Sequence, residues 1–185
     1  MERNNKILSR DSTALLLIDV QERILDVMIN KDELIANCIK IIKGFKVLNL
    51  PVFFTEQYPK GLGPTTHLLL TELEGLSAIQ KTSFSCLGAG NLFQSLKDNN
   101  VTQVVIAGIE SHVCVQQTVL DLLANNFQVD VCADAVSSRK EKDLNIALEI
   151  MRNNNVEITS VESVLFELLQ ESRTEEFKKI SAIIK

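Results

Sequence analysis

Cys114 stands two residues beyond His112, where a strand-like run, Val104 to Gly108, gives way to a helix-like run. A thiol there lies at a strand's C-terminal edge and at a helix start. Unpaired backbone N–H groups and the positive end of the helix dipole favour a thiolate in such a place. Asp19 closes the apolar run Ala14-Leu15-Leu16-Leu17-Ile18, and Lys81 closes Ala78-Ile79-Gln80. Brought together, these three could do nucleophilic chemistry: sulfur attacks, the carboxylate moves a proton and the ammonium holds both in register. Each also has a structural alternative. A strand-end Asp commonly caps the following turn, a lysine is usually solvated, and a free Cys is often an inert core residue.

The elements that must position these residues alternate along the chain. Ala14–Val20 reads as a strand buried on both faces. Leu34, Ile35, Cys38, Ile41, Ile42, Phe45 and Leu48 then recur at helical spacing, with Lys40, Lys43 and Lys46 off that face. Val52–Thr55 is the second strand, and a polar stretch with Pro59, Gly61, Gly63 and Pro64 follows it. Ala78–Lys81 is a weak third strand, and Asn91–Lys97 a helix. Strand Gln103–Ala107, helix Val115–Ala124, strand Gln128–Ala133, helix Lys140–Arg152 and strand Val156–Thr159 continue the alternation. Helical segments at Val164–Leu169 and Glu175–Ile184 end it. Such a pattern predicts a single domain over residues 1–185, an α/β fold with six parallel strands doubly wound by right-handed crossovers. Asp19, Lys81 and Cys114 then all fall at one edge of the sheet, where open α/β sheets bind their ligands.

The 185 residues carry 19 Lys and Arg against 24 Asp and Glu, a net charge of −5, with no basic stripe interleaved with aromatics. No nucleic-acid partner is therefore expected. The N-terminal residues lead into no apolar stretch of signal-peptide length, and no run is long enough to span a membrane. Cys38, Cys86, Cys114 and Cys132 show no CxxC spacing, so a reducing, cytoplasmic setting is expected rather than a disulfide framework or a zinc site. Cys38 and Cys132 fall on apolar faces and read as core. His112 is too near Cys114 in sequence to be assumed its partner and is read as lining the pocket, while His67, beside Leu68-Leu69-Leu70, reads as structural. Two histidines without HxxxH or DxH spacing give no expected metal site. Gly88-Ala89-Gly90 lacks the lysine and spacing of a phosphate loop. No cofactor is expected.

Three ordered motifs carry a resemblance that covers almost the whole chain. Leu17-Ile18-Asp19-Val20-Gln21, Gln80-Lys81-Thr82-Ser83-Phe84, and Gly108-Ile109-Glu110-Ser111-His112-Val113-Cys114-Val115-Gln116-Gln117-Thr118 resemble the isochorismatase-like cysteine hydrolases. Glu56-Gln57-Tyr58-Pro59-Lys60-Gly61-Leu62-Gly63 is similar to the subgroup called isochorismatase-domain-containing proteins. The resemblance implies a three-layer α/β/α fold with strand order 3-2-1-4-5-6. It implies that Asp19 takes the thiol proton, that Cys114 attacks an amide-type carbonyl carbon, and that Lys81 orients and polarises both. It also implies an oxyanion hole from the backbone N–H groups of Glu110 and Cys114, shaped by a cis peptide joining Ile109 to Glu110.

Nicotinamidases of this superfamily hold a metal with Asp and His after the second strand, where this chain reads Thr55-Glu56-Gln57-Tyr58, so that activity is disfavoured. True isochorismatases typically lack the nucleophilic cysteine. Ser111, where many relatives have Thr, should be tolerated. Tyr58, Phe84 and His112 are the expected pocket wall. The expectation is a metal-independent hydrolase of the C–N bond of a small amide or carbamoyl compound, acting through a thioester and assembled as a homo-oligomer. The rival expectations are a catalytically silent binder of a metabolite or partner, and a vinyl-ether hydrolase of isochorismate type.

Overall fold

Leu15 and Leu17 point to one side of their strand and Leu16 and Ile18 to the other, and all four are buried. A strand covered on both faces must sit inside a sheet flanked by helices. The computed structural model, which describes residues 3–185, has that architecture. Its strands are β1 (Thr13–Ile18), β2 (Val52–Gln57), β3 (Ile79–Lys81), β4 (Gln103–Ile109), β5 (Gln128–Ser137) and β6 (Glu157–Thr159). All pairings are parallel and the order is β3-β2-β1-β4-β5-β6.

The helices are α1 (Glu22–Leu25), α2 (Lys31–Val47), α3 (Pro59–Leu62), α4 (His67–Leu70), α5 (Leu92–Asp98), α6 (Gln116–Ala124), α7 (Glu141–Asn153), α8 (Val161–Leu169) and α9 (Glu175–Ile184). Helices α2, α8 and α9 cover the Leu15/Leu17 face, where Phe45, Ile41 and Leu165 form the core. Helices α5, α6 and α7 cover the Leu16/Ile18 face with Leu96, Val119 and Met151. The three-layer arrangement and strand order agree with the expectation.

The differences from the sequence reading are local. Strand β5 runs on to Ser137, past the expected Ala133, because the polar Asp134 inside it is satisfied: its carboxylate accepts from Val161 N at the start of α8, at 3.0 and 3.2 Å. The stretch after β2 is not wholly irregular, since Pro59 starts the single turn α3. Among the described residues, no helix is long and apolar enough to cross a membrane.

Candidate active site

The two central strands deliver the site. Gly108 on β4 lies opposite Ile18 on β1. Its φ is +120°, and a Cβ there would stand 2.1 Å from Ile18 O. Only glycine permits this approach. Immediately after β1, Asp19 takes a left-handed φ of 52°, a region Asp tolerates better than most residues. Its N–H donates to Thr55 O at 3.2 Å. This turn aims the carboxylate toward β2 and β3. Thr55 Oγ1 donates to Oδ1 at 2.7 Å, and Lys81 Nζ donates to Oδ2 at 2.6 Å. The Lys81 side chain is fully buried and that of Asp19 is 4% exposed. This is a desolvated ion pair held by further hydrogen bonds, the arrangement that makes such burial tolerable.

Cys114 reaches the same place from β4. The chain leaves that strand through a single π turn, Ser111–Val115, before α6 begins, and π turns are frequent at functional sites. Val113 N and Val115 N both donate to Glu110 O at 3.1 Å. Thr118 Oγ1 donates to Cys114 O at 2.7 Å and accepts from Cys86 N at 2.9 Å. The peptide joining Ile109 to Glu110 is cis.

Asp19 and Cys114 share a cavity of about 80 Å³ with Gln57 and Glu110. Ile24, Leu62, Phe84, Ile109 and Val113 supply its apolar wall. Lys81 does not line that cavity; it borders a neighbouring groove of about 390 Å³ with Tyr58, Pro59, Lys60, Gln80, Thr82 and Gly88. Of the three expected wall residues, Phe84 lines the cavity and Tyr58 lines the groove. His112 lines neither, and its Nδ1 is 2.9 Å from Ser138 Oγ. Glu110 at the cavity wall pairs with Arg139 Nε at 2.8 Å.

The local preference for thiolate at a helix start is opposed by the surroundings of Cys114. Burial first, then the Asp19 charge, push the Cys114 thiol up to about 12, and Lys81 opposes them without prevailing. Cys86 is likewise raised, to about 11, by burial and Asp19. The position at a helix start is as expected, but only 7% of Cys114 is exposed, and desolvation disfavours the charged form. Among the described residues, no three His, Cys, Asp or Glu side chains are grouped to hold a metal ion.

Sequence reasoning missed Thr55, Gln57, Ile24, Leu62 and Val113. Ile24 and Leu62 sit in single helical turns too short to show a period. Gln57 had a signal, because it lies in the Glu56–Gly63 motif.

Comparison with known proteins agrees with this fold. The isochorismatase domain model matches residues 13–163. Isochorismatase domain-containing protein 2 of Danio rerio is 37% identical over 178 residues, covering 96% of this chain and 89% of that protein. Isochorismatase family protein 1A of Dictyostelium discoideum is 35% identical, covering 94% and 86%. A structure described as the MAR1 ribonuclease of Caenorhabditis elegans superposes with a TM-score of 0.90 at 34% identity, covering 96% and 91%.

Proposed function

The chain belongs to the isochorismatase domain family of hydrolases, and we propose that it uses Cys114 to cleave the C–N bond of a small amide or carbamoyl compound without a metal. The observation that carries this reading is that Asp19, ion-paired to the buried Lys81, shares one small cavity with Cys114. A thiol held at about 12 keeps its proton at rest, so activation accompanies attack. As Sγ bonds to the carbonyl carbon, its proton passes to Asp19. The oxyanion is received by the backbone N–H groups of Glu110 and Cys114, a type of contact worth about 3 kcal/mol per donor. Collapse breaks the C–N bond, and the amine leaves with the proton from Asp19. Asp19 then takes a proton from water as the oxygen attacks the thioester; the C–S bond breaks, Asp19 returns the proton to sulfur, and the acid product leaves.

Lys81 keeps the Asp19 carboxylate oriented throughout. The apolar side chains of the wall lower the local polarity, which strengthens each of these interactions. The ribonuclease name of the C. elegans relative does not suit this chain, with 24 acidic against 19 basic residues and so small a cavity at the thiol. A homo-oligomer and a reducing, cytoplasmic setting belong to the same proposal. They are supported by the exposed Tyr58, Phe84 and Leu87 and by four free thiols.

A panel of small amides and carbamoyl compounds tests the reaction, read by ammonia or amine release. Turnover that vanishes in Cys114→Ala supports it; turnover untouched by that change refutes it. Thermal stabilisation by the same compounds without turnover, surviving Cys114→Ser, would make the cavity a binding site instead.

A further inference from the structure

Lys81 Nζ has three N–H bonds and four acceptors in reach: Asp19 Oδ2 at 2.6 Å, Gln57 Oε1 at 2.9 Å, Phe84 O at 2.9 Å and Ser83 O at 3.2 Å. Fully buried, the ammonium has no N–H left for a substrate. Only two of its partners are side chains, Asp19 and Gln57. The Gln57 amide is oriented from its other end, since Nε2 donates to Thr82 O at 2.8 Å and so turns Oε1 toward Lys81. Its backbone is held separately by Gln21. Gln21 Oε1 accepts from Gln57 N at 2.7 Å, and Gln21 Nε2 donates to Gln57 O at 3.0 Å and Gly63 O at 2.6 Å. The Gln57 side chain is thus free of the loop's anchoring, and Gln57 lines the cavity of Cys114.

We propose that Gln57 is a positioning residue of this site: a neutral, oriented acceptor that fixes the Lys81 ammonium against Asp19 while leaving Asp19 the sole carboxylate in contact with it. The proposal rests on Asp19, Lys81 and Cys114 forming the reaction centre. A glutamate of the same length would place a second carboxylate on Lys81, divide the ammonium between two anions, and set an oxygen against Thr82 O with no proton to give. The charged or titratable groups facing Cys114 are Asp19, Lys81 and Cys86, with Glu110 across the cavity already paired to Arg139. An added negative charge is therefore left without a partner of its own.

The test is the rate of Cys114 alkylation by iodoacetamide at pH 9, read by peptide mass mapping beside thermal melting. Gln57→Glu is expected to slow labelling about three- to tenfold, as a one- to two-unit rise in a thiol's pKa does once its higher nucleophilicity is allowed for. Gln21→Leu, which removes the backbone clamp on Gln57 and Gly63 but adds no charge and keeps the Gln57 amide, should lower the melting temperature without slowing labelling. In an Asp19→Asn background the new glutamate restores a single carboxylate on Lys81, so the double variant should label near the unsubstituted rate. It keeps the test sound should Gln57→Glu alone fail to fold. Labelling unchanged by Gln57→Glu, or a double variant as fast as Asp19→Asn alone, overturns the proposal. Failure of the catalytic reading shows elsewhere, as turnover indifferent to Cys114→Ala.

Discussion

Replacing Asp19 with asparagine should make Cys114 more reactive toward alkylating agents while abolishing hydrolysis. With its thiol near 12, Cys114 is about 10⁻⁵ thiolate at pH 7, against about 3% for a free thiol of pKa 8.5. That fraction alone slows alkylation roughly 3,000-fold. A more basic thiolate is intrinsically more nucleophilic, by about 40-fold over this interval for a Brønsted slope near 0.45. The net expectation is alkylation on the order of 100-fold slower than a free thiol at pH 7, still climbing with pH beyond 10. Asparagine removes a neighbouring charge that raises the thiol and leaves the Lys81 charge uncompensated. Loss of one adjacent charge is worth roughly 1–3 pKa units. After the nucleophilicity correction, Asp19→Asn should accelerate labelling about 3- to 40-fold at fixed pH. The assay is iodoacetamide labelling of Cys114 from pH 7 to 11 with peptide mapping, beside turnover of any amide found. Slower labelling in Asp19→Asn, or rapid labelling of the unsubstituted protein at pH 6–7, would refute the reasoning.

Lys81→Met should destabilise the fold by about 3–5 kcal/mol in denaturant titration, because it strands the buried Asp19 carboxylate. Adding Asp19→Asn should recover much of that loss, and additive losses would show that the two side chains are not coupled. Gly108→Ala should cost at least about 3 kcal/mol, since its Cβ would stand 2.1 Å from Ile18 O at a φ of +120°; a melting temperature within a degree of the parent would contradict the β1–β4 register. Asp130 is held at about 6, chiefly by burial. Its favourable contribution is present below about pH 4 and is lost as pH rises through 6. Asp130→Asn should therefore stabilise the protein above pH 6 by up to about 3 kcal/mol and flatten the pH dependence between 4 and 6; equal stability at pH 7 would refute the assignment.

The parts of the fold that were legible in the sequence are those whose burial is written into consecutive residues. Strands β1 and β4 are continuous apolar runs, so their ends, and with them the places of Asp19 and Cys114, follow directly. Strand β3 is only three residues long and carries exposed Gln80 beside buried Lys81. Nothing local distinguishes that lysine from a solvated one, and the family motif supplied the distinction. The four-residue helices α1, α3 and α4 leave no periodic trace, so Ile24 and Leu62 could not be placed. His112 illustrates the converse case. Its nearness to Cys114 in sequence suggested the cavity, but the π turn sends its ring to Ser138.

The thiol shows why position and protonation are separate questions. A helix start is a local property, and by itself it favours thiolate. Burial is a tertiary one: Leu62, Phe84 and Val113, from three separate segments, line the cavity around Cys114. That wall also leaves the thiol protonated, in a place where a free thiolate would be costly. The same apolar wall strengthens the Asp19–Lys81 pair and the backbone donors that would meet an oxyanion. A site built this way is quiet toward adventitious electrophiles and acts only when a carbonyl carbon and the Asp19 oxygen are both within reach of sulfur. It follows that thiol reactivity is the wrong screen for activity in this chain. A slow-labelling Cys114 is what a competent site should show, and a variant that labels fast is one that has lost its proton acceptor.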